Sequence, residues 1–393
     1  MTDTVNEQIA ANLIKHQIYL IQYSNGLYND AAKLLANTEE QIEQTALFYA
    51  TKLQDSKVGS AQYNRIANNY REAVRKIREP VWNTLAKTLA SEMQELGQIE
   101  MDFIASTIEN AIPLAKPLTL DRPERSTVTS AIENQPVAEG KILSELMDSL
   151  ATQDVERISS RTVDRMTLGE SASAAVQQTI GTKAQQYRDG VMRRAQTSME
   201  AISQTVSTAT STTAQKELFS KNNYLIKDEI FRATLDSGTT PVCIENSNQI
   251  FPVGEGPYPP LHYRCRSKRL PNVLPDALET QSFDPSTERT LVKEYATQSA
   301  LDTTKIKTRA DLPYGTKQDF DSFARQRRRQ LIGTEPVNTS YGDFLRKQSA
   351  DFQREVLGNA RYKLFRDSKL PLTKFINNGR YLTLDELKNK GIE

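Results

Sequence analysis

The stretch Leu235–Val273 reads LDSGTTPVCIENSNQIFPVGEGPYPPLHYRCRSKRLPNV. Here helical patterning gives way to Gly and Pro, and here lie both cysteines, Cys243 and Cys265, and one of the two histidines, His262. Asp236, Thr239 and Cys243 stand on a first limb. His262, Cys265 and Arg266 stand on a second, after a Pro-Tyr-Pro-Pro run. Prolines ahead of the second limb restrict its backbone and lower the entropy of holding it against the first. His262 and Cys265 are about one turn apart, and Arg266 offers a planar fork that suits the Asp236 carboxylate. The segment predicts a compact, turn-rich unit whose limbs close on one another, with short strands over Gln249–Val253 and Ser267–Leu270.

Upstream, the pattern is helical. Within Ser60–Ile112, apolar residues such as Tyr63, Tyr70, Val74, Leu85, Leu89 and Met93 recur at multiples of three and four, which predicts one long amphipathic helix or two in series. Pro80 is the expected kink or break. An earlier helical stretch covers Val5–Ser56, with an interruption expected near Ser24–Asn29. Four prolines within Pro113–Gly140 (Pro113, Pro117, Pro123 and Pro136) predict a linker. Helix resumes over Lys141–Arg165, breaks at Leu168–Gly169 and continues through Glu170–Asn222, where β-branched Thr210–Thr213 weaken it locally. Residues 276–340 are polar and poorly periodic. The tail predicts three short helices: Tyr341–Lys347, Ala350–Phe365 and Thr383–Lys388. The chain therefore divides into a long-helix region at 1–112, a linker at 113–140, helices at 141–225, a core at 226–275, an irregular connection at 276–340 and a helical module at 341–393.

Composition narrows the function. Fifty Lys plus Arg face 49 Asp plus Glu, a net charge of +1, so only a local patch would bind nucleic acid or a charged membrane surface. No apolar run approaches a bilayer span, and the N-terminus lacks the features of a signal peptide. The expectation is a soluble protein made in a reducing cytoplasm, which disfavours a structural disulfide. There is no phosphate-binding loop, dinucleotide fingerprint, HExxH or kinase signature.

The limb residues then point to a family. Asp236, Thr239, Cys243, Pro259, Leu261, His262, Cys265, Arg266, Ser267 and Pro271 resemble the core of the Mu F-like head morphogenesis proteins of tailed phages. That core runs approximately Asp-x-x-Thr-x-x-x-Cys, a turn and short strand, Pro-x-Leu-His-x-x-Cys-Arg-Ser/Cys, then Pro. Gly169–Ser171, the approach LIKDEIFRATLD and the tail Tyr341–Leu387 resemble the family too, whereas residues before 140 do not. The resemblance implies a mainly α protein with long N-terminal helices, a small α+β core of Mu F type and a short helical C-terminal module. It implies a few copies per virion at the portal vertex, acting in head assembly and in genome packaging or ejection. The phage portal protein is then the expected partner, with major capsid or scaffolding protein and packaged DNA as further candidates and no membrane. The N-terminal helices would suit an extended docking arm. Many relatives carry two further cysteines where this chain has Thr240 and Ser267, which suggests a paired unit in those proteins, a metal site or a disulfide.

Several readings of the residues compete. Cys243, His262 and Cys265, with Asp236 as a fourth ligand, would make a tetrahedral zinc site, although structural zinc sites usually use paired Cys-x-x-Cys knuckles. A Cys243–Cys265 disulfide is a second option. A cysteine nucleophile is a third, but no oxyanion-hole signature or orienting residue accompanies it. The reading adopted is a buried, hydrogen-bonded cluster that locks the limbs, with no catalytic residue, metal or cofactor. Arg325, Arg327, Arg328 and Arg329 are candidates for contact with DNA phosphates, against the plainer reading of a solvated helix face. His16 is expected at the surface or an interface. The alternatives to a structural head protein are a DNA-contacting internal head protein ejected with the genome and a cysteine-dependent enzyme.

Overall fold

Apolar stripes at the helical period produce seven helices before the first strand among the described residues. They are α1 (Val5–Ala36), α2 (Glu39–Gln54), α3 (Ala61–Ala111), α4 (Arg125–Asn134), α5 (Leu143–Thr167), α6 (Ala172–Ile180) and α7 (Met192–Lys221). Next come β1 (Asp228–Arg232), α8 (Pro241–Asn246), β2 (Ile250–Pro252) and β3 (Lys268–Asn272). They are followed by β4 (Gln281–Phe283), α9 (Glu288–Gln298), α10 (Lys317–Leu331) and β5 (Gly333–Glu335). The chain ends in α11 (Tyr341–Lys347), α12 (Ala350–Ser368, bent at Gly358), β6 (Ile376–Asn377), β7 (Arg380–Tyr381) and α13 (Leu384–Asn389). This computed structural model describes residues 5–112, 118–187, 189–273, 281–313, 315–331, 333–335, 339–368, 370–377 and 379–392. With 68% helix against 6% strand, the fold is mainly α with a small antiparallel sheet, as expected.

The core is organised around α7. Its Thr- and Ser-rich middle, Thr205–Thr213, is buried throughout, so its β-branched residues serve packing rather than mark a weak point. One apolar cluster joins Leu13 and Leu20 of α1, Leu89 and Leu96 of α3, Met199 and Val206 of α7 and Leu270 of β3. Gly97 of α3 sits where α4 crosses, and a Cβ there would run into Ile132 Cδ1. The N-terminal helices are thus packed against the rest of the chain; they do not form the extended arm expected, because α7 and β3 cover the apolar stripes of α1 and the second half of α3, and α5 and α6 cover the remainder. At the far end, α2, the first half of α3, α5 and α6 share a second cluster.

Two expected breaks do not occur. Residues Ser24–Asn29 lie inside α1, where burial of Leu20, Ala31 and Leu35 outweighs weak local propensity. Pro80 lies inside an unbroken α3. Arg78 Nε and Trp82 Nε1 both donate to Asp154 Oδ2 of α5, at 2.7 and 2.9 Å. This pins the helix on both sides of the proline, whose own face is exposed.

The expected linker at 113–140 contains α4, which packs on α3 and α7; Pro113 and Pro117 lie outside the described residues. The region 276–340, expected to be irregular, contains the β4–β5 pair and the α9–α10 hairpin with its own core of Leu291, Val292, Tyr295 and Phe320; residues 276–280 lie outside the described residues. Thr287 caps α9, accepting from Thr290 N at 3.0 Å. The C-terminal module shares a core with the limb segment: Leu235 and Ile244 pack with Phe344, Phe352, Phe365 and Phe375.

Candidate functional site

The site is built on the three-stranded sheet, order β2-β1-β3, antiparallel throughout. Pro252 and Pro271 fall on the two outer strands, where a residue without an N–H breaks no ladder. β1 feeds the first limb and β3 follows the second, so Leu235–Cys243 and His262–Ser267 emerge side by side. Thr205 and Thr208 of α7 receive the second limb: Arg264 N donates to Thr205 Oγ1 at 2.9 Å, and Thr208 Oγ1 donates to the Cys265 carbonyl at 3.0 Å.

Arg266 and Asp236 pair fork to fork. Nη1 lies 2.7 Å from Oδ2 and Nη2 donates to Oδ1 at 3.0 Å. Asp236 is nearly buried, and its Oδ1 also accepts from Gly238 N at 2.9 Å and Thr239 Oγ1 at 3.1 Å. Its carbonyl accepts from the buried Tyr341 hydroxyl at 2.8 Å, tying the C-terminal module to the first limb.

Below the pair lies the thiol cluster. Cys243 Sγ is 3.7 Å from Cys265 Sγ and 3.4 Å from His262 Nε2, and both cysteines are buried and not joined by a disulfide. His262 turns Nδ1 to the Tyr263 carbonyl at 2.8 Å. Cys265 N donates to the His262 carbonyl at 3.1 Å, closing the turn between them. The Cys243 hydrogen bond, aided by His262, holds the Cys265 thiol far below its ordinary range. The same bond and burial push Cys243 up. Burial lowers His262, but its hydrogen bond and charge interaction with Cys265, helped by the Tyr263 carbonyl, carry it upward overall. Ser267 is buried beside Cys243, and Pro259 is buried in the preceding loop. The structure therefore brings Asp236, Thr239 and Arg266 into one bonded group and Cys243, His262, Cys265 and Ser267 into a second, while Pro259 is buried in the loop between the limbs.

A second clamp escaped the sequence reading. Glu229 and Arg269 are fully buried and 3.2 Å apart. Glu229 also accepts from Gln215 Nε2 of α7 at 2.9 Å and from the Tyr258 hydroxyl. Arg269 donates to the Glu255 and Pro257 carbonyls, each at 3.1 Å, and its guanidinium lies over the Phe251 and Tyr258 rings. Gly256 permits this closeness, because a Cβ there would strike the Phe251 ring. Arg269 thus fastens the Pro-rich loop to the sheet. The alternation Glu229–Phe231 on one face of a strand was the signal available.

The remaining candidates separate. Arg327 pairs with Glu294 at 2.8 Å and Arg328 with Asp284 at 3.5 Å, while Arg325 and Arg329 are exposed. Among the described residues, only Arg325 and Arg329 of the basic run face outward without an acidic neighbour of this kind. His16, partly exposed, sits at an interface between helices: its Nε2 bonds the fully buried Glu100, which also accepts from Ser211 Oγ at 2.5 Å, and its ring stacks on Phe103. It ties α1 and α3 to α7. No helix among the described residues is long and apolar enough to cross a membrane.

Comparison with protein-family profiles, with curated proteins and with solved structures returns no match to this chain.

Proposed function

We propose that the chain is a non-catalytic minor head protein of Mu F type, bound at the portal vertex of a tailed-phage head and acting in head assembly and genome packaging or ejection. The observation that carries this reading is the closure of the limbs. Six of the residues on which the resemblance rests hold the limbs together, Asp236, Thr239 and Arg266 in one bonded group and Cys243, His262 and Cys265 in another. That arrangement supports a structural knot that sets the C-terminal module against the helical body. Among the described residues His262 Nδ1 is held by the Tyr263 carbonyl and not by a carboxylate, which favours assembly over catalysis by a cysteine nucleophile. Apolar side chains left outward on the N-terminal helices, Ile18 and Tyr19 on α1 and Leu47 and Phe48 on α2, are candidate contacts with the portal. The test is mass spectrometry of purified heads and emptied ghosts. A few copies of the chain per head support the proposal, and its absence from both particles overturns it. Presence in heads with loss from ghosts would favour the ejected, DNA-contacting alternative.

A further inference from the structure

Among the described residues, Cys243, His262 and Cys265 form a group whose three ligand atoms all lie within 4.8 Å of one another. We propose that these three side chains bind a zinc ion. The inference rests on their geometry and stands apart from what the protein docks to.

The two spacings made by Cys243 are those of a tetrahedron's edges. A tetrahedral zinc holds thiolate sulfur at about 2.3 Å and imidazole nitrogen at about 2.05 Å, so two thiolates stand about 3.8 Å apart and a thiolate and an imidazole about 3.5 Å apart. Here Cys243 Sγ is 3.7 Å from Cys265 Sγ and 3.4 Å from His262 Nε2. The third edge, Cys265 Sγ to His262 Nε2, lies within 4.8 Å.

The surroundings fit as well. A zinc-bound imidazole almost always gives its other N–H to a carbonyl or carboxylate, which fixes the tautomer. His262 places Nδ1 2.8 Å from the Tyr263 carbonyl, so Nδ1 carries the proton and the Nε2 lone pair faces the sulfurs. The Thr240 and Ser267 side chains border Cys243, and the buried Thr240 hydroxyl has no hydrogen-bond partner among the described residues, so it is free to donate to a thiolate. The Thr208 hydroxyl holds the Cys265 carbonyl, and the sheet and α7 hold both limbs before any metal arrives. Two thiolates balance the dication, leaving a neutral centre in a buried place. A cavity of about 440 Å³ lined by Thr240, His262, Cys265 and Arg266 reaches the cluster, and water from it completes the tetrahedron. The paired knuckle that structural zinc sites usually carry is replaced here by one ligand on α8 and two in the turn at 262–265.

Cobalt(II) titration of the reduced, chelator-stripped full-length protein tests this without any substitution. The expected result is one cobalt per chain with thiolate-to-metal charge-transfer absorption and intense tetrahedral ligand-field bands. Zinc should displace the cobalt stoichiometrically and protect both thiols from alkylation. Cys265→Ser and His262→Ala should each weaken binding by at least about a hundredfold, beyond the roughly 10- to 100-fold caused by losing only a ligand's hydrogen-bond partner. The proposal is overturned if cobalt shows only the weak spectrum of the hydrated ion and zinc leaves alkylation rates unchanged. It is equally overturned if protein isolated with its thiols trapped carries a Cys243–Cys265 disulfide.

Discussion

Arg266 and Asp236 join the two limbs by a bidentate ion pair, 2.7 Å between Nη1 and Oδ2 and 3.0 Å between Nη2 and Oδ1. The pair is asymmetric. Asp236 is 6% exposed and Arg266 35%, so water screens the arginine and the bond is weaker than a fully buried one. Asp236 also keeps its bonds from Gly238 and Thr239 when the guanidinium is removed.

Arg266→Ala is therefore expected to cost about 1.5–3 kcal/mol, the range for hydrogen bonds to a charged group. Arg266→Lys should recover only part of it, because an ammonium cannot reproduce the two parallel bonds. Urea melting of the three proteins measures this, with limited proteolysis around residues 254–260 as the local readout. Wild-type stability and protease resistance in Arg266→Ala would show that the pair holds nothing.

The Glu229–Arg269 pair should matter more, since neither group sees solvent. Arg269→Met leaves a buried carboxylate without its cation and should cost about 3–5 kcal/mol, and Glu229→Leu with Arg269→Met should recover most of that. A double variant no more stable than the single one would place the effect in the lost stacking on Phe251 and Tyr258.

The same carboxyl gives a pH signature. Burial raises Glu229 above its ordinary 4.5, against the pull of Tyr258, Arg269 and Gln215. A carboxyl raised in the fold favours its protonated form there, so its stabilising effect is complete below the unfolded value and is lost as pH rises through the folded one. Relative to Glu229→Gln, the wild type should lose stability from about pH 4.5 upward until ionisation is complete. A difference between the two proteins that is flat with pH contradicts this.

Asp154 and Pro80 should show coupling. Asp154→Ala strips the carboxylate from a buried Arg78 and should cost about 3–5 kcal/mol. Pro80→Ala restores a helical hydrogen bond and should stabilise by about 1–3 kcal/mol. If Asp154 pins α3 across its proline, the double variant is more stable than the sum of the singles predicts. Strict additivity, read from chemical denaturation, would separate the two.

Much of this was legible in residue order. The helix Tyr341–Lys347 follows from its apolar spacing after Ser340, whose Oγ caps it. The short strands at 250–252 and 268–272, and the Asp236–Arg266 pairing, follow from Pro placement and matched side-chain chemistry. What stayed hidden depends on the third dimension. Pro80 signals a break unless Asp154, far along the chain, holds both flanks. β1 is disguised by Glu229 and Arg232, charged residues that the fold buries. The α9–α10 hairpin is polar on most of its surface and shows its apolar face only where the two helices meet.

The most direct test of the assembly reading is co-expression of the full chain with the portal protein of the same phage, followed by gel filtration. The account predicts a complex that survives the column at micromolar concentration and is weakened when Leu47 and Phe48 are changed to serine, with the fold intact by circular dichroism. Complete separation of the two wild-type proteins would contradict it.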